Sequence, residues 1–173
     1  QKPISQPYKV PVTRQFVEMS RQFPEEAALS MGEACMTYGM LEAKSAHVAT
    51  SLLQQGLRPG DVVGLSGPRS FDLIAALLGI LRARGVLLLI DPDLPDARKS
   101  VMLQEANAAW CLEFGQAERL PLQDSTKRVQ VLLDNPPDSS TADLPDPDPG
   151  AAAYIFFTSG TTGVPKGILG NHK

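Results

Sequence analysis

An α/β fold, with a mainly parallel sheet and flanking helices, is expected from three features of this 173-residue chain. Strand and helix signals alternate from Val62 to Ala106, the pattern of parallel-sheet units. Val86 to Ile90 is an unbroken run of valine, leucine and isoleucine, as in strands covered on both faces. Apolar segments also recur from end to end, at 43% hydrophobic and 20% charged residues, enough to bury a sizeable core.

The elements follow in order. Val12 to Phe23 reads as a helix, with Val12, Phe16, Met19 and Phe23 at helical spacing, Val17 beside them and Pro24 as the stop. Ala27 to Met31 and Ala34 to Tyr38 read as two short strands around Gly32-Glu33. A second helix is expected over Leu41 to Gln55, with Leu41, Ser45, Val48, Ala49, Leu52 and Leu53 on one face. Gly56 stands where a left-handed residue ends a helix, and Pro59-Gly60 form a turn. Val62 to Leu65 is a buried strand, Gly67-Pro68 a turn, and Ser70 the N-cap of a helix over Phe71 to Arg84. That helix is apolar nearly all round, so other elements must cover it, and Gly85 closes it. Asp91-Pro92 ends the strand Val86 to Ile90. Asp96 to Ala106 is helical, and Trp110 to Phe114 and Val129 to Leu133 are strands.

Residues 134–150 hold five aspartates and five prolines and no lysine or arginine. Such a stretch forms no packed element, so an exposed acidic connector is expected to separate a first α/β unit, 1–133, from residues 151–173. The formal net charge of −3 resolves into −5 in the connector and +2 elsewhere. Neither part is the basic block of a nucleic-acid binder. No apolar run approaches the roughly 20 residues that span a bilayer, and the first residues carry no signal-peptide core. Neither nucleic acid nor membrane is therefore an expected partner. Cys35, Cys111, His47 and His172 fit no metal-ligand or redox spacing, so no metal site is expected. The thiols are expected to be buried and reduced, in a cytoplasmic protein.

Ala151 to Phe157 is a strand again, and it runs into Thr158-Ser159-Gly160-Thr161-Thr162-Gly163-Val164-Pro165-Lys166-Gly167. Glycines free the backbone to expose N–H groups, hydroxyls add donors, and Lys166 supplies charge, the makings of an anion nest for phosphate oxygens. A Walker loop needs Gly-Lys-Ser/Thr opening a helix. Here Pro165 precedes the lysine, Gly167 follows it, and Ile168-Leu169 looks like a new strand. A glycine-rich hairpin between two strands is the geometry implied.

Tyr154 to Gly167 resembles the phosphate-loop signature of the adenylate-forming enzymes: acyl-CoA synthetases, luciferases and the adenylation domains of nonribosomal peptide synthetases. Met36-Thr37-Tyr38-Gly39-Met40-Leu41 resembles the Leu-Thr-Tyr-x-Glu-Leu segment of peptide-synthetase adenylation domains, with Met40 at the glutamate position. Leu81 to Pro92 resembles their Leu-Lys-Ala-Gly-x-x-Tyr-Leu-Pro-Leu-Asp-Pro stretch, with Arg84 standing before the glycine and Leu89 in place of the first proline. Asp91-Pro92, where acyl-CoA ligases tend to show Asn-Pro, favours the peptide synthetases.

The resemblance implies the N-terminal part of the large subdomain, incomplete within these residues. The reaction it implies converts a carboxylic or amino acid and ATP to an acyl-adenylate and pyrophosphate. Thr158, Ser159, Gly160, Thr161, Thr162, Gly163 and Lys166 would grip the phosphates. The acyl group then passes to phosphopantetheine on a carrier-protein domain. The same resemblance puts the Mg2+ ligands, the acyl pocket and the catalytic lysine beyond residue 173, so no catalytic residue is assigned here and the fragment alone is expected to be inactive. Implied partners are the rest of the adenylation domain, the carrier domain and a small adenylation-domain chaperone. Two alternatives stay open: an acyl-CoA or aryl-CoA ligase, and a non-catalytic nucleotide-binding module.

Among the other residues, His172 reads as a strand-end histidine that could approach a bound nucleotide, and His47 as a surface or core histidine. Trp110 is expected to pack at a strand start, Tyr38 and Phe71 to join the core, and Arg69 to make a surface salt bridge.

Overall fold

The computed structural model describes residues 10–114, 120–122, 126–134, 144–158 and 166–172. Helix α1, Val12–Gln22, precedes a hairpin of β1, Ala27–Met31, and β2, Ala34–Thr37. Then come α2, Tyr38–Gln54; β3, Val62–Ser66; α3, Phe71–Arg82; β4, Val86–Ile90; and α4, Asp96–Glu105. Strands β5, Trp110–Phe114, β6, Lys127–Val131, β7, Ala152–Thr158, and β8, Lys166–Asn171, complete the described elements.

Six of these strands make one sheet in the order β6-β5-β3-β4-β7-β8, parallel except for β8. From β3 the chain steps one way through α3 to β4, then crosses back through α4 to β5 on the far side of β3. The reversal gives each face its own layer. Val63, Leu65 and Leu87 pack under α2 and α3, while Leu88, Ile90 and Cys111 pack under Met102 and Leu103 of α4. Period-two alternation within apolar strands thus serves two cores at once.

Local chemistry sets the boundaries. Thr37 Oγ1 accepts from the Met40 N–H at 3.3 Å, so α2 begins at Tyr38, three residues earlier than apolar spacing suggested. Gly56, at φ +95°, ends α2 with Leu57 N–H bonded to Leu52 O and Gly56 N–H to Leu53 O. Ser70 Oγ caps α3 as expected. The end of α3 departs from expectation: Arg84, not Gly85, takes the left-handed position, at φ +63°. Its N–H bonds Leu81 O while Gly85 N–H bonds Ile80 O, the same two-bond closure as at Gly56.

Strand β6 lies two residues earlier than Val129 to Leu133. Lys127 pairs with Trp110 in register and its Nζ sits 4.7 Å from the indole centroid, while Leu132 is left exposed. Helix α1 also presents a different face from the one its spacing suggested. Val12, Met19 and Phe23 are exposed, and Thr13 and Ser20 are buried. Ser20 satisfies its hydroxyl on Val17 O at 2.9 Å, and of the apolar stripe only Phe16 reaches the Met36–Leu41–Leu78 cluster.

Two contacts lock α2 to α3. Gly79 lets them approach so closely that a Cβ there would stand 2.5 Å from the Val48 side chain. Arg82 donates to Glu42 Oε1, Glu42 O and Ser45 Oγ at 2.8, 3.1 and 2.8 Å. Both charged residues are buried, so Glu42 occupies an inward place on α2 where spacing had put Leu53, which is exposed.

The connector does not hold two units apart. Strand β7 pairs with β4 in the same sheet, Leu144 packs against the α2–α3 core, and Pro147 is buried. Leucine and proline carbons find apolar cover despite the acidic composition around them. No helix among the described residues is long and apolar enough to cross a membrane.

Candidate functional site

Because β3, β4, β5, β6 and β7 run parallel, their C-terminal ends share one edge of the sheet. In open α/β sheets that edge receives ligands, at the point where connections reverse direction. Here connections leave β3 toward β4 and β5 toward β6, so the reversal lies between β3 and β5, and β7 adjoins β4. The strand ends bring three segments to this edge: Gly67 to Ser70, Asp91 to Asp93, and the chain leaving Thr158.

Thr158 is paired with Lys166 across antiparallel β7 and β8, so the two described ends that flank residues 159–165 stand side by side at this edge. The glycine-rich hairpin expected between two strands therefore has its flanking strands. Ser159, Gly160, Thr161, Thr162 and Gly163 lie outside the described residues, and Thr158 and Lys166 are placed by their backbone. The stem is built for close approach. Tyr154 lies directly over Gly170 on the neighbouring strand, its ring occupying the space a Cβ would need, and the ring centre lies 4.8 Å from that of Phe156 at a tilt of 46°. Any side chain at Gly170 would displace that ring.

The other residues singled out from the sequence lie apart. His172 is at the opposite end of the hairpin from the loop, where its N–H bonds Ala151 O at 3.3 Å, so it does not approach the loop. It is buried, neither Nδ1 nor Nε2 has a partner among the described residues, and burial lowers its pKa below the ordinary 6.5. His47 is half-buried on α2. Trp110 packs as expected and donates Nε1–H to Asp61 Oδ2 at 3.0 Å. Tyr38 and Phe71 are half-buried. Arg69 stands exposed at the ligand edge and makes no ion pair among the described residues, contrary to the expected salt bridge.

The thiols divide. Cys111 is buried, with its pKa pushed up to about 11 by burial against a smaller opposing pull from Arg128. Cys35 is exposed, 3.4 Å from Ser30 Oγ, because the β1–β2 hairpin turns it outward. Among the described residues no cluster of three His, Cys, Asp or Glu could hold a metal ion.

Spacing alone missed Arg84 and the Glu42–Arg82 pair. The one available signal was Arg84 standing just before Gly85 in a helix-end segment.

Comparison with known proteins gives these residues a context. Residues 16–173 match the family model described as AMP-binding enzyme. A plipastatin synthase of Bacillus subtilis (strain 168) is 36% identical over 157 residues, covering 91% of this chain and 6% of its own length. Syringomycin synthase SyrB1 of Pseudomonas syringae pv. syringae is 36% identical over 160 residues, covering 91% of this chain and 26% of its own length. The chain thus spans a small part of these relatives. The structure of the nonribosomal peptide synthetase FmoA3 in its AMPPNP-bound form superposes with a TM-score of 0.82 at 30% identity, over 95% of this chain and 18% of that one.

Proposed function

This chain belongs to the AMP-binding enzyme family, and from that premise we propose that it is the N-terminal portion of an adenylation domain in a nonribosomal peptide synthetase. The observation that carries the proposal is the Thr158–Lys166 loop, set on antiparallel β7 and β8 beside the C-terminal end of β4. The relatives support it: plipastatin synthase and the AMPPNP-bound FmoA3 are similar across nearly the whole chain. Within the portion, residues 1–133 are the first α/β unit, 134–150 an acidic connector, and 151–173 the strand and phosphate-binding loop.

The domain activates a carboxylic or amino acid. A carboxylate oxygen bonds to the α-phosphorus of ATP, the bond to pyrophosphate breaks, and an acyl-adenylate forms. The loop's part is electrostatic. Backbone N–H groups of Gly160 and Gly163, the hydroxyls of Thr158, Ser159, Thr161 and Thr162, and the Lys166 ammonium hold the β- and γ-phosphates as charge develops on the departing pyrophosphate. Mg2+, when bound with ATP, neutralises further phosphate charge; its ligands lie outside these residues. Lys166 binds phosphate and transfers no proton. The phosphopantetheine thiol of a carrier domain then attacks the acyl carbon, forming a thioester as the bond to AMP breaks and AMP leaves, in a cytoplasmic enzyme whose free thiols suit a reducing compartment. Ile168 and Leu169 of β8 and Phe156 of β7 are exposed, which suits cover by the rest of the domain and by its partners, a small chaperone among them.

Amino-acid-dependent ATP–pyrophosphate exchange by the whole protein tests the proposal. One amino or carboxylic acid in a panel should support exchange. Labelled ATP that forms at the same rate with every acid, or with none, would contradict it.

A further inference from the structure

Strand β8 is poorly told where to lie by its own pattern. Ile168 and Leu169 are successive, so they point to opposite faces of the sheet, and both are exposed. A half-buried strand is held in register by keeping its apolar residues on one face. β8 has one on each face and glycines at 167 and 170, so alternation selects nothing. It nevertheless pairs with β7 as one ladder, from Tyr154 opposite Gly170 to Thr158 opposite Lys166.

Two aromatic residues of β7 supply what the pattern lacks. Tyr154 is the register partner of Gly170, and its ring fills the place of a Cβ there. Phe157 is the register partner of Gly167, and its Cζ and Cε1 lie 3.4 and 3.5 Å from where a Cβ would stand. The two rings come from opposite faces. Tyr154 packs with the core under α2 and α3, and Phe157 with the core that holds Met102 and Leu103 of α4. Moving β8 by one residue would set Asn171 or Leu169 opposite Tyr154, and Ile168 or Lys166 opposite Phe157. Each brings a Cβ to a place where only glycine now stands, and the ring above must leave its packing to admit it.

We propose that Tyr154 and Phe157 are positioning residues for the phosphate loop: seated on Gly170 and Gly167, their rings fix the register in which Lys166 stands opposite Thr158. The assignment rests on the function proposed above for that loop. A one-residue slip would carry the Lys166 backbone about 3.4 Å along β7. Misplacement by about 1 Å already costs on the order of 100-fold where charge must be met in place.

ATP–pyrophosphate exchange by the full-length protein tests this, with the acid that supports exchange in wild type. Gly170→Ala drives a methyl group into the Tyr154 ring. It should raise KM for ATP roughly tenfold or more and leave KM for the acid unchanged. Tyr154→Leu creates no such clash, so it keeps the test available if Gly170→Ala does not fold, and it should shift KM for ATP the same way. Tyr154→Phe keeps the ring and should keep the wild-type value. A ring that only stabilised the fold would lower the melting temperature and spare KM for ATP. That result, or equal rises in both KM values, overturns the assignment while wild-type exchange upholds the function. Wild-type protein that exchanges with no acid overturns the function, and the assignment with it.

Discussion

Cys111 illustrates how burial alone changes a side chain's chemistry. In the unfolded chain its thiol ionises near the ordinary 9.0; in the folded protein it does so near 11. Between those values the unfolded state binds fewer protons than the folded state, so stability falls as pH rises through the interval and is fully present below it. Replacing Cys111 with Ala should flatten that decline in thermal melts recorded from pH 9 to 11. At pH 8, iodoacetamide should label Cys35 and spare Cys111 in the native protein, as peptide mass spectrometry would show. A second residue-scale expectation concerns Glu42. Removing it as Glu42→Ala leaves the Arg82 guanidinium buried without its carboxylate, which should cost about 3–5 kcal/mol in denaturant titrations. A loss below 1 kcal/mol would mean that Ser45 and water replace it. The pair was not legible beforehand, and for the left-handed Arg84 the one sign was its place just before Gly85. Charged residues within amphipathic segments read as solvated, and only the packing of α2 on α3 turns these two inward.

At the scale of elements, α2 and α3 meet through Gly79 and Val48, and the approach leaves no space for a methyl group. Gly79→Ala should therefore destabilise by about 1–3 kcal/mol through overpacking, although alanine favours a helix more than glycine does. A stabilised variant in thermal melts would show that the helices can separate without loss. Strands β3 and β4 were legible because both their faces are apolar, and α3 because Ser70 announces it. Strand β6 was misplaced by two residues, since Lys127 and Arg128 look like loop residues until Trp110 and Glu113 are beside them. The inward face of α1 was misjudged for a related reason: helical spacing reveals an apolar stripe but not whether anything covers it. In the described structure Val12, Met19 and Phe23 remain exposed.

For the whole molecule, the sheet decides what the loop can do. Composition suggested that the acidic stretch keeps residues 151–173 apart, yet β7 docks beside β4 and brings the loop to the shared C-terminal edge. Pairing partners of high sequence separation are invisible to local pattern, whereas the loop itself was legible because its chemistry is local: glycines, hydroxyls and one lysine in ten residues. The most direct test of phosphate gripping is Lys166→Ala in the full-length protein, assayed by amino-acid-dependent ATP–pyrophosphate exchange. Loss of one charged hydrogen bond predicts a fall in kcat/KM for ATP of roughly 10–100-fold with unchanged melting. An exchange rate and ATP dependence equal to wild type would contradict it.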